Sequence, residues 1–155
     1  MTVHSENTIG WREWLALPDL NLPAIKAKID TGAKTSALHA VDIQEFTRSH
    51  RPHVRFTVQP LHRKPDIRIR CEAEIFDRRR IKDSGGRSEE RYIILTTVEA
   101  GTHRWKIQMS LSDRSNMMFP MLLGRDAVID AGYQVDSRRS YSLGRRSAEV
   151  YLQAE

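Results

Sequence analysis

Ala24-Ile25-Lys26-Ala27-Lys28-Ile29-Asp30-Thr31-Gly32-Ala33 is the stretch from which the fold can be read. Ile25, Ala27 and Ile29 alternate with Lys26 and Lys28, the period of two expected of a strand with one face buried. Asp30 closes that strand, and a hydroxyl residue and a glycine follow. A carboxyl group that acts on water needs a rigid base, hydrogen-bond donors and space for a second charge, and these residue types supply them. Taken alone the triplet is short, and an aspartate at a turn commonly does no more than bond its own backbone.

Outward from this stretch, the chain reads as further short strands. Upstream, Trp11, Trp14, Leu15 and Leu17 can anchor an N-terminal strand or hairpin, and Pro18 to Pro23 form a turn. Downstream, 35–43 reads as a strand in preference to a helical turn. Val54, Phe56 and Val58 mark another, closed by Pro60. Ile67 to Ile75 alternate over nine residues and predict a long strand. The charged segment from Phe76 to Arg91 holds Ser84-Gly85-Gly86 and predicts a projecting hairpin. Strands are expected at 92–98, 105–111 and 121–124, then a short helix over 125–131 ended by Gly132, and one or two last strands near Val135 and 141–143. About eight strands with one late helix and no internal repeat make a mainly β domain, a barrel or a compact sandwich. Residues 1–8 are expected to be a loose N-terminus, 9–143 one domain, and 144–155 a peripheral tail.

The 155 residues suit one domain, and 39% hydrophobic with 29% charged residues suits a globular one. No apolar run has bilayer-spanning length and the first ten residues lack a leader pattern, so no membrane association and a cytoplasmic location are expected. Cys71 is the single cysteine, which excludes an internal disulfide and predicts a small core residue. The net charge of +5 favours acidic partners in general. The basic clusters Arg78-Arg79-Arg80 and Arg138-Arg139 have no interleaved aromatic residues, and nucleic acid is not an expected partner. The six histidines are scattered without a His-Glu-x-x-His pattern, and Gly85-Gly86 lacks the lysine and helix of a phosphate cradle. No metal and no cofactor is therefore expected.

Far downstream of Asp30-Thr31-Gly32-Ala33 lies Leu122-Leu123-Gly124-Arg125-Asp126. The two motifs, in this order and with a hairpin between them, resemble the retropepsin-like aspartic proteases. More closely, Ala24 to Ala40, the hairpin with Gly85-Gly86, and Met121 to Asp126 resemble a bacterial family labelled ATP-dependent zinc proteases, associated with ATP-grasp ligases that add glutamate to a ribosomal protein. The resemblance spans roughly 9–143. It implies a retropepsin-like closed β-barrel and an aspartic endopeptidase. Asp30, Thr31 and Gly32 would be catalytic and Ala33, Gly85 and Gly86 would contact substrate. Leu122, Leu123, Gly124, Arg125 and Asp126 would support the site, and 78–91 would form a flap. Two carboxyl groups must share a proton in this chemistry, and the chain holds one Asp-Thr-Gly, so a homodimer pairing Asp30 with Asp30 is required. The implied partners are a peptide or protein substrate and a ribosomal protein or ATP-grasp ligase. The alternatives are a non-catalytic binding or regulatory protein of the same fold, and a zinc-dependent peptidase as the family label suggests.

Overall fold

The computed structural model describes residues 7–82, 85–113 and 118–151. The chain begins with β1 (Thr8–Leu17), a 3₁₀ turn (Pro18–Leu20), β2 (Leu22–Asp30), β3 (Ser36–His39), β4 (Val41–Arg48) and β5 (Arg51–Val58). It continues through β6 (Ile69–Glu74), β7 (Asp77–Lys82), β8 (Ser88–Ala100), β9 (His103–Ser112) and β10 (Met121–Gly124). Helix α1 (Arg125–Ala131), β11 (Gln134–Ser140) and a last 3₁₀ turn (Ala148–Tyr151) follow.

Eight strands form one sheet in the order β11-β1-β2-β10-β3-β9-β8-β7, while β4-β5-β6 form a second. The large sheet curls until β1 meets β8 at the bridge Ala16↔Glu99, which makes a partly closed ring. The mainly β architecture with one late helix, expected of a retropepsin-like fold, is present.

Alternation decides which face turns inward. Ile25, Ala27 and Ile29 of β2 are buried while Lys26 and Lys28 are exposed. The core draws Leu15, Leu17, Leu22, Phe56, Met109 and Leu123 from strands far apart in sequence, each almost fully removed from water. Their burial is the main favourable term in folding. Cys71 joins this core, as expected. Its thiol faces the Leu20 carbonyl at 3.3 Å, and burial pushes its pKa up to about 12.

Several boundaries differ from the sequence reading, for identifiable reasons. The segment 35–43 contains the whole of β3 and the start of β4, and β4 runs on to Arg48. None of the β4 residues is fully buried, and Asp42 adopts φ 52° where the register shifts. A strand at a sheet edge with such a bulge carries no clean alternation. The strand expected over 67–75 is six residues long, because the Ile67 amide is used in a turn to the Lys64 carbonyl. The hairpin expected between Phe76 and Arg91 is β7 and the first part of β8, and Ser84 lies outside the described residues. No strand forms at 141–143. Instead the Ser142 and Leu143 amides and the Ser142 hydroxyl donate to the fully buried carboxylate of Glu13, which also accepts from the Gly10 amide. The tail expected to be peripheral inserts Tyr151 into the core, its hydroxyl bonded to the Ala24 backbone.

Candidate active site

Asp30 ends β2, and its place is set by a strand more than 90 residues later in the chain. Strand β10 enters between β2 and β3, parallel to the first and antiparallel to the second. The register pairs Leu122 with Lys28, Leu123 with Ile29 and Gly124 with Asp30. Leu123 is fully buried, beside Ile29 in the adjoining strand. Gly124 passes so close to that loop's return that a β-carbon there would lie 2.7 Å from the Thr35 carbonyl carbon and 2.8 Å from the Ser36 amide nitrogen. No residue but glycine fits without moving backbone.

The loop is tied down from within and from below. The Asp30 carboxylate accepts the Gly32 amide at 3.1 Å, and the Ala33 amide closes a turn on the Asp30 carbonyl. The Arg125 amide donates to the Ala33 carbonyl at 2.7 Å and the Asp126 amide to the Lys34 carbonyl at 3.1 Å. Those amides belong to the first turn of α1, which has no earlier helical carbonyl to bond. The Arg125 guanidinium reaches the Thr31 carbonyl at 3.1 Å. Ser36, which the sequence reading did not single out, is buried and accepts the Gly124 amide on its hydroxyl at 2.9 Å. Its only signal in the sequence is a hydroxyl residue inside an apolar strand.

The outward side of the loop is open. Asp30 is half-buried, Thr31 and Gly32 are exposed, and the Thr31 hydroxyl has no hydrogen-bond partner among the described residues. The structure therefore gathers Asp30, Thr31, Gly32, Ala33, Leu122, Leu123, Gly124, Arg125 and Asp126 at one place. Gly85 and Gly86 are on the tip between β7 and β8, and this hairpin lies at the edge of the large sheet, beyond β10, β3 and β9 as counted from β2. Gly86 adopts φ 85° with open space around it. Glu45 of the second sheet anchors the hairpin's base, accepting from Arg78 at 2.7 Å and from the Tyr92 hydroxyl at 3.1 Å. The hydrogen bond from Arg78 holds the Glu45 carboxyl below its ordinary range. Among the described residues, no group of three or more His, Cys, Asp or Glu side chains could hold a metal ion.

A strand ending in an aspartate followed by Thr-Gly, locked by a second strand ending in apolar-apolar-glycine, defines the retropepsin-like class. The chain belongs to the RimB-like family, described as the retropepsin-like aspartic endopeptidase RimB, whose model matches residues 8–146. A solved Legionella pneumophila protein of unknown function is 33% identical, with a TM-score of 0.75, covering 90% of this chain and 99% of that one. Curated relatives are named probable alpha-L-glutamate ligases. The one from Shewanella halifaxensis is 42% identical over 139 residues, 90% of this chain and 30% of its own length. The one from Desulfotalea psychrophila is 42% identical over 145 residues, 94% and 31% respectively. The chain thus spans less than a third of the length of these relatives.

Proposed function

We propose that the chain is an aspartic endopeptidase that works as a homodimer, with Asp30 from each copy forming the catalytic pair. The observation that carries this reading is the Asp30 loop itself. It is held by β10 and α1 on one side, while Asp30 is only half-buried, Thr31 and Gly32 are exposed, and the Thr31 hydroxyl has no hydrogen-bond partner among the described residues. One such loop supplies one carboxylate, and aspartic-type hydrolysis of an amide uses two in different protonation states. Two Asp30 groups brought together cannot both ionise; one takes a proton from water while the other donates to the scissile carbonyl oxygen. The titration belongs to the pair rather than to either residue. Thr31 and Gly32 line the meeting point of the two loops, Ala33 leaves room for the peptide, and the β7–β8 hairpin with Gly85 and Gly86 closes over it. Asp30→Asn should abolish peptide cleavage while leaving the thermal unfolding midpoint near that of the unsubstituted chain; cleavage that survives this change removes the reading.

The relatives' names favour a second reading. A segment matching nearly all of this chain forms under a third of proteins named glutamate ligases, so the domain can serve beside a ligase as a binding or regulatory module. On that reading, Asp30→Asn leaves ligase association and ligase activity unchanged and no peptide is cleaved by either form.

A further inference from the structure

The small sheet turns one face to the core and the other to solvent. Val54, Phe56 and Cys71 are buried on the inner side, and the register fixes what lies on the outer one. Phe46 of β4 stands opposite His53 of β5, with Arg48 opposite Arg51 at the hairpin end and Gln44 opposite Arg55. Between β5 and β6, His53 pairs with Glu74, Arg55 with Glu72 and Thr57 with Arg70. Opposed residues share a face and every second residue returns to it, so four arginines from three strands surround one aromatic pair. At about 3.3 Å per residue along a strand and about 4.8 Å between strands, this face measures roughly 20 Å by 10 Å.

This set differs from the arginine runs visible in the chain. Arg78-Arg79-Arg80 and Arg138-Arg139 have no aromatic residue among them, whereas the sheet brings Arg55 to 4.2 Å and Arg48 to 5.1 Å from the Phe46 ring, with the His53 ring 5.4 Å away. Charge on the face is unbalanced. Glu72 serves both Arg48, at 3.0 Å, and Arg55, at 3.4 Å, while Glu74 pairs with Arg51 at 3.2 Å. Asp42, at the bulge, is paired with Arg68. Arg70 has no ion-pair partner among the described residues and is held instead by the Asp42 carbonyl and the Thr57 hydroxyl. Four guanidiniums set against Glu72 and Glu74 leave a positive surplus. A guanidinium lying on an aromatic ring keeps its charge and spare N–H donors, and its own plane is a further surface for stacking.

We infer that the outer face of β4, β5 and β6 binds single-stranded RNA, its arginines taking phosphates while bases add to the stack built on Phe46 and His53. A flat face that combines surplus positive charge with stacked rings and guanidinium planes matches an unpaired strand, whose bases are free to stack and whose backbone is anionic. An acidic protein segment meets the same charges but has nothing to lay on the planes. Glu72 and Glu74 repel phosphate, yet they accept hydrogen bonds from 2′-hydroxyls and base amino groups, which favours RNA over DNA. The face belongs to a different sheet from Asp30, and the inference does not rest on Asp30 being catalytic.

The test is fluorescence anisotropy of the full chain with a fluorescein-labelled RNA of about ten nucleotides and mixed sequence, a length suited to the roughly 20 Å face. Binding should weaken with salt, log K against log salt having a slope of about −2 to −3, roughly 0.7 for each phosphate held. Arg48→Gln, Arg51→Gln and Arg70→Gln together should weaken binding about tenfold or more and bring the slope toward zero. Arg51→Gln alone, which disturbs an exposed pair, should weaken it several-fold and guards against misfolding of the triple variant. Removing three charges elsewhere, by Lys106→Gln, Arg138→Gln and Arg139→Gln, should change affinity by no more than about threefold. Phe46→Leu keeps an apolar contact but removes the ring, and should weaken binding about fivefold or more with the slope unchanged. Asp30→Asn should leave binding as it is. Absence of binding at low salt, equal losses from the two sets of charge removals, unchanged affinity in Phe46→Leu, or equally tight binding of DNA of the same sequence overturns the inference. So does a glutamate peptide of the same length that loses affinity on the same substitutions, which makes the face a site for acidic protein instead.

Discussion

Gly32 and Gly124 both lie beside Asp30, yet substitution at the two should have opposite outcomes. A β-carbon on Gly32 meets only the Asp30 carboxylate, at 3.3 Å, whereas one on Gly124 strikes the backbone of Thr35 and Ser36. Gly124→Ala should therefore lower stability by about 1–3 kcal/mol, the usual cost of forcing atoms into packed structure. Gly32→Ala should leave stability nearly unchanged, and urea unfolding of both variants checks the contrast. Cys71 makes a second prediction at this scale. Its pKa rises from 9.0 to about 12 on folding, so the unfolded chain gives up the thiol proton first as pH rises. Stability should fall between about pH 9 and 12, and Cys71→Ala should lessen that fall in alkaline urea titrations. The folded thiol should also resist a maleimide at pH 8, when the unfolded one reacts.

Among elements, β10 has the most consequence for its length. Four residues hold β2 and β3 together, carry Gly124 opposite Asp30, and lead directly into α1. Leu123 has no exposed surface, so Leu123→Ala should cost about 2–5 kcal/mol, and on the peptidase reading cleavage should drop by more than the folded fraction accounts for, because the strand that seats Gly124 opposite Asp30 is loosened. Measuring cleavage alongside the folded fraction by circular dichroism separates the two effects. The element also shows what a linear reading can and cannot find. Met121-Leu122-Leu123-Gly124 is recognisable as a short buried strand, and Gly132 at φ 74° ends α1 where a glycine was expected. By contrast, β4 and β7 hold only half-exposed and exposed positions. Strands that bury neither face fully leave a faint hydrophobic period, and their pairing comes from neighbours.

For the molecule as a whole, the dimer proposal makes a quantitative demand. If each site takes one Asp30 from each of two copies, mixing equal amounts of unsubstituted and Asp30→Asn chains should leave about a quarter of the activity after exchange, since only one pairing in four keeps both carboxyl groups. A residual activity of one half instead means that each chain works alone. Glu13 acts at the same scale, because it joins β1 to the segment after β11 across 129 residues. Glu13→Gln replaces a carboxylate that accepts four bonds by an amide with one acceptor oxygen, and the loss should be about 1.5–3 kcal/mol or more in urea unfolding.

The sequence by itself determined the strand that ends in Asp30, the second motif at Leu122 to Asp126, the burial of Cys71 and the mainly β class. Each of these follows from local period, side-chain chemistry or the pairing of two short motifs, all of which survive in a linear string. The tertiary structure alone decided that Gly124 lies opposite Asp30, that Ser36 and Arg125 clamp the loop, that Glu13 binds the segment after β11, and that Tyr151 ties the tail to the core. Those relations join residues tens to more than a hundred positions apart, and the register that aligns them is set by packing of the whole ring rather than by any stretch within it.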